Sequence, residues 1–122
     1  MTHKNIEYTY EGLVLIRKFL SDATIVEQKE SILFMLKNNI IIENQIGIIS
    51  DFSDVNFLVD QKDLSLLKDI FFENYQILGN LKYAQIITSP QIAQTIFFEI
   101  ENKDVKTRSF STFKAANTWI RN

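Results

Sequence analysis

The residues of this 122-residue chain whose types and spacing could do chemistry are four aspartates and two serines around one strand end and two helix starts. Ile46, Ile48 and Ile49 form an apolar strand that runs into Asp51, Ser53 and Asp54. A short apolar return, Val55, Phe57, Leu58 and Val59, then leads to Asp60, Gln61 and Asp63. A strand that delivers carboxylates and a hydroxyl beside a helix N-terminus is where an α/β protein places a site. The four carboxylates could hold a hard cation, but their spacing is that of no all-oxygen metal loop, and capping and turn formation account for the same residues. Ser53 could accept a phosphate, whose charge Asp51 and Asp54 would repel; it could equally bond its own turn. Asp60 with Gln61 could stand in part for a phosphorylated residue, with less charge and fewer acceptors. Ser89, just before Pro90, and Ser111-Thr112 mark helix N-termini that could meet an anion, a role that capping also explains.

Composition narrows the chemistry further. There is no cysteine, and the single histidine, His3, sits in a start expected to be disordered over 1–5. Cysteine nucleophiles, thiolate metal sites and a histidine general base therefore have no candidates, no phosphate-cradling glycine loop occurs, and no cofactor is expected. An enzyme is disfavoured on those grounds. Thirteen basic against fifteen acidic residues leave a net charge of −2. A nucleic-acid binder needs a basic surface, and a membrane anchor needs a polybasic one. No apolar run reaches the roughly 18 residues that a membrane span requires, and the first residues lack the apolar region of a signal peptide, so the expected compartment is the cytoplasm.

The elements that must position these residues follow from periodicity. Two β-rich pieces over 6–10 and 13–19 meet at Glu11-Gly12, a hairpin junction. Thr24 and Glu27 fit a capping box that opens a helix with Ile25, Ile32, Leu36 and, alongside, Leu33 on its apolar stripe, fading near Asn38-Asn39. Ile40, Ile41 and Ile42 are either a last buried turn or a packed connection. A strand over 45–50 follows, then a helix capped by Asp60 with Leu64, Leu67, Ile70 and Phe71 on one face. Gly79-Asn80 breaks the pattern before a strand over 82–88. Ser89-Pro90 starts another helix, carrying Ala93, Ile96, Phe97 and Ile100. A last strand over 106–110 leads through Ser111-Thr112 into a final helix, whose buried side is expected to be Phe113, Ala116 and Ile120 with Trp119 adjacent. The order ββαβαβαβα implies one domain over 1–122: a mixed, mainly parallel sheet covered by helices, because parallel neighbours need crossovers.

Three segments carry a resemblance. Asp51-Phe52-Ser53-Asp54-Val55-Asn56-Phe57, Thr88-Ser89-Pro90, and Phe110-Ser111-Thr112 through Ala115-Ala116 to Trp119-Ile120 resemble the STAS-like group, the SpoIIAA-like domains related to anti-sigma-factor antagonists. The resemblance implies a small cytoplasmic bacterial α/β domain that works by docking on other proteins. Members of that group that act as switches are phosphorylated on a Ser or Thr opening the second helix. The matching stretch here, Val59-Asp60-Gln61-Lys62, has no Ser, Thr or Gly. The chain thus looks closer to the divergent SpoIIAA-like proteins, some of which are compared with lipid-binding carriers.

Phe71 and Phe72, and again Phe97 and Phe98, are adjacent aromatic pairs on helices. One member of each faces the core, and Phe72 and Phe98 are left as a candidate apolar patch, serving a dimer, a protein partner or an apolar ligand. The expectation is a non-enzymatic interaction or regulatory module, self-associating, with a binding protein for a small apolar or lipid-like ligand as the rival and a Ser53 phosphoswitch third. The carrier needs a lined cavity; the docking module packs solid and exposes its phenylalanines.

Overall fold

A computed structural model describes residues 1–58, 61–87 and 106–122. The N-terminal hairpin pairs β2 (Ile6–Glu11) with β3 (Val14–Phe19), and Gly12 supplies the left-handed φ of +60° at the first loop position, as a two-residue II′ turn requires. Residues 1–5, expected to be disordered, instead carry β1 (Thr2–His3), which pairs antiparallel with β2. The Met1 carbonyl accepts the Tyr8 amide at 2.7 Å, so the alternation of 6–11 is satisfied on both edges.

After β4 (Ala23–Thr24), α1 spans Ile25–Lys37. Its capping box is complete: Thr24 Oγ1 accepts from the Glu27 amide at 3.2 Å, and Glu27 Oε1 accepts from the Thr24 amide at 3.1 Å. The buried stripe is Ile25, Gln28, Ser31, Ile32 and Met35. Leu33 is 46% exposed and Leu36 only partly buried, because the stripe slopes through Met35. Ile40 is buried, its amide held by the Met35 carbonyl, and is a packed connection into β5 (Gly47–Asp51).

Beyond β6 (Phe57–Leu58) the second helix begins as a 3-10 turn, Gln61–Asp63, and continues as α2 (Leu64–Glu73). Asp63 occupies the cap position of α2 and makes no side-chain cap bond; the cap expected at Asp60 lies outside the described residues. Leu67, Ile70 and Phe71 are buried as their spacing predicts. A four-residue helix, α3 (Tyr75–Leu78), precedes β7 (Lys82–Ile86). The helix expected from Ser89 lies outside the described residues. β8 (Lys106–Phe110) then leads to α4 (Phe113–Arg121), capped by Thr112 Oγ1, which accepts from the Ala115 amide. Phe113 is 37% exposed; Ala116 and Ile120 make the buried face.

The described strands form a six-stranded sheet in the order β1-β2-β3-β5-β7-β8, antiparallel up to β3 and parallel from there. One face, through Tyr8, Leu15, Ile48 and Tyr83, packs on α1 and α2. The other, through Val14, Ile49 and Ala84, packs on Ala116 and Ile120 of α4. A second, two-stranded parallel ladder joins β4 to β6.

At Gly47, α4 packs close against the sheet. A Cβ there would stand 2.8 Å from Ile120 Cγ2 and 2.8 Å from the Lys82 carbonyl oxygen. The latter is backbone held by β5–β7 pairing and has little room to give. Gly47→Ala should cost about 1–3 kcal/mol by overpacking. Urea unfolding reads this as a lower midpoint with an unchanged slope. An unchanged midpoint would mean that α4 does not sit this close.

Candidate functional site

The C-terminal ends of β3, β5 and β7 place Lys18, Asp51 and Ile86 in one register row. The chain leaves β5 through a turn that its own residues build. Asp51 Oδ1 accepts the Ser53 amide at 2.9 Å, the bond by which an aspartate shapes a turn. Phe52 is 2% exposed, stacks on Phe19 at 4.3 Å between centroids, and donates its amide to the Ile86 carbonyl at 2.8 Å. The turn is then tied sideways: Asp22 Oδ1 accepts the Asn56 amide at 2.8 Å, and the Asn56 carbonyl accepts the Ala23 amide at 3.0 Å.

Asp51, Ser53 and Asp54 are therefore brought together at the strand end. Asp54 lies 3.8 Å from the Lys18 ammonium, with both side chains exposed, so the pair contributes little. Gln61 opens the 3-10 turn. Asp60, Ser89 and Phe98 lie outside the described residues. Phe72 is on α2, 70% exposed. Among the described residues no cluster of three His, Cys, Asp or Glu side chains is placed to hold a metal ion.

A second constellation lies behind the strand end. Tyr8, Arg17, Ser50, Gln85 and Ser109 occupy successive strands of one register row, on the face that carries α1 and α2. Arg17 is 5% exposed. It donates to Ser50 Oγ from Nε at 3.2 Å and from Nη2 at 2.7 Å, and to Ser31 Oγ of α1 from Nη1 at 3.0 Å. Ser31 Oγ also shares a 2.8 Å hydrogen bond with the Tyr8 hydroxyl. The guanidinium sits 5.1 Å from the Phe19 ring centre. Among the described residues no carboxylate pairs with it. Burial pulls its pKa down to about 10, against the pull of Tyr8 and Tyr83. Burial likewise pushes the Tyr83 phenol well above its ordinary range, and its hydroxyl donates to the Leu78 carbonyl at 2.5 Å. Further along the same face, Gln85 Oε1 and Thr107 Oγ1 are buried with no hydrogen-bond partner among the described residues.

This row holds a charge inside the protein and fixes strand register. The partners of Ser31 and Ser50 are a guanidinium and a phenol, neither of which takes a proton from a serine at neutral pH. The sequence reading missed the row. Its signal was present in the alternation: Leu15, Arg17 and Phe19 share a face, as do Ile48 and Ser50, and Tyr83 and Gln85.

Open grooves among the described residues include two on the flanks of the sheet. One, of about 550 Å³, runs between the β1–β2 edge and α1, and its walls include His3, Ile6, Tyr8, Leu33 and Phe34. His3 stacks on Phe34 there, with centroids 3.7 Å apart. The other, of about 510 Å³, lies between β8 and α4. Near the end of α2 and on α3, Phe72, Tyr75 and Ile77 are exposed by 70%, 43% and 51%. No helix among the described residues is long and apolar enough to cross a membrane.

No family model matches the chain, and no curated protein matches it. A solved structure does: an uncharacterised protein of the DUF3478 family from Shewanella loihica PV-4, described as having a SpoIIAA-like fold. It is 14% identical, superposes with a TM-score of 0.62, and the match covers 98% of each chain. With its strand order, its helices on both faces of a mixed sheet and this likeness over nearly its full length, the chain has the SpoIIAA-like fold.

Proposed function

We propose that the chain is a non-enzymatic protein-interaction and regulatory module of the STAS-like type, working in the bacterial cytoplasm without the Ser or Thr that the resemblance calls for in the Val59-Asp60-Gln61-Lys62 stretch. The observation that carries this reading is the exposed apolar surface at the end of α2 and on α3. Phe72, Tyr75 and Ile77 present three large apolar side chains within six residues. Such a surface in a small domain gains by being covered by protein, a second copy of this chain included.

A second reading, a carrier of a small apolar ligand, draws on the groove between β1–β2 and α1. Its volume of about 550 Å³ and its wall of Ile6, Tyr8, Leu33 and Phe34 suit a small molecule. Native mass spectrometry at rising protein concentration separates the two. A dimer that forms in the wild type and is lost in Phe72→Ser/Ile77→Ser supports the docking surface. A monomer at every concentration removes the homophilic form. A mass excess that vanishes on denaturation promotes the carrier.

A further inference from the structure

The groove between β8 and α4 has a composition unlike the rest of the chain. Residues 106–122 carry Lys106, Arg108, Lys114 and Arg121 and no Asp or Glu. The whole chain is at −2, so the remainder stands at −6. The groove is lined by Arg108, Phe110, Thr112, Lys114, Thr118 and Trp119 among others, and among the described residues no Asp or Glu side chain lines it. Phe110 and Trp119 form its apolar wall, tilted against each other with centroids 5.7 Å apart. Arg108 reaches along that wall, 5.6 Å from the Phe110 ring centre. Lys82 braces it from behind, donating to the Trp119 carbonyl at 3.1 Å. Arg108 and Lys114 are both exposed, and neither has a carboxylate partner among the described residues.

β8 is the last strand of the described sheet, and basic side chains on an edge strand ordinarily guard against edge-to-edge pairing. That accounts for Lys106. It does not account for two partly buried aromatic rings between two cations, since guarding works by charge and an apolar wall invites contact. We propose that this groove docks an extended acidic segment of a partner protein: its carboxylates meet Arg108 and Lys114, and an apolar side chain between them lies on Phe110 and Trp119. Paired cation and aromatic contacts are how protein surfaces anchor such segments. A membrane is disfavoured, because Ala116 and Ile120, the apolar face of α4, are already turned into the sheet. A nucleic acid would need a broader basic surface than two groove cations on a net-negative protein. The groove lies on the opposite face of the sheet from α2, so this docking site stands apart from the α2–α3 surface.

Trp119 is the chain's single tryptophan, so intrinsic fluorescence reports on the groove directly. The full chain is titrated with a blocked hexapeptide, Glu-Asp-Leu-Glu-Phe-Glu, and with the same peptide carrying Lys at every acidic position. The acidic peptide should give a saturable change in Trp119 emission that weakens with salt, and the basic peptide none. Arg108→Glu/Lys114→Glu should weaken binding at least about tenfold, the effect of placing like charges in contact. Lys29→Glu/Lys37→Glu, with the same net charge but altered on α1, should bind as wild type. Circular dichroism melting establishes that both variants are folded. Equal responses to both peptides, no response, or undiminished binding by the groove variant would overturn the proposal. A response confined to a single-stranded oligonucleotide or to anionic phospholipid vesicles, run alongside, would also overturn it and give the groove to that partner.

Discussion

Ser50→Ala is expected to destabilise the protein by about 2–4 kcal/mol, and adding Arg17→Met to it should return most of the loss. Ser50 Oγ accepts two of the three hydrogen bonds that Arg17 makes, and Arg17 is buried with no carboxylate pairing to it among the described residues. Removing that oxygen leaves two guanidinium donors without a partner in a place that water does not reach. Hydrogen bonds to charged groups are worth about 1.5–3 kcal/mol, and stranding a buried charge costs more than the bonds alone. Methionine fills the stem's volume without a charge to satisfy, and replacing a buried ion by an apolar side chain of similar size is often neutral or stabilising. Arg17→Met alone should lie close to the wild type, since Ser31 keeps its bond to Tyr8. Urea unfolding of the four proteins gives the coupling between the two sites. Additive losses, with the double variant the least stable, would show that Arg17 does not depend on Ser50.

Phe52→Ala should cost about 3–5 kcal/mol, the range for truncating a buried phenylalanine. Phe52 is among the largest fully buried side chains, and its ring lies on Phe19. Its amide also ties the turn to β7. Phe52→Leu keeps most of the volume and should lose less than half as much. Comparable losses in both would mean that stacking, not volume, dominates at this position. No change in either would remove Phe52 from the core.

The outline of the fold was legible because its signals are local. The Gly12 junction, the Thr24–Glu27 box and the Thr112 cap each satisfy backbone groups within a few residues, and all three stand where the spacing puts them. The short strand β1 was missed because it depends on the β2 edge rather than on any pattern of its own. Leu33 and Phe113 were assigned to buried faces on spacing alone, but which rotation of a helix is buried is decided by the partner surface. The turn at Asp51 and Ser53 was legible as a turn. What escaped was the row behind it. Arg17 looks like a solvated residue in a strand, and only the sheet register reveals that Ser50 is its neighbour.

The small ladder between β4 and β6 has a consequence for local opening. Ala23 pairs with Phe57 and Thr24 with Leu58, and Thr24 is also the residue that caps α1. The turn after β5 and the first turn of α1 thus share backbone bonds, although they lie some thirty residues apart in the chain. Neither can unfold locally without releasing groups that the other holds, so the two behave as one cooperative unit. The turn that carries Asp51, Ser53 and Asp54 is in this way joined by backbone bonds to the start of α1, the helix whose Ser31 touches the buried guanidinium.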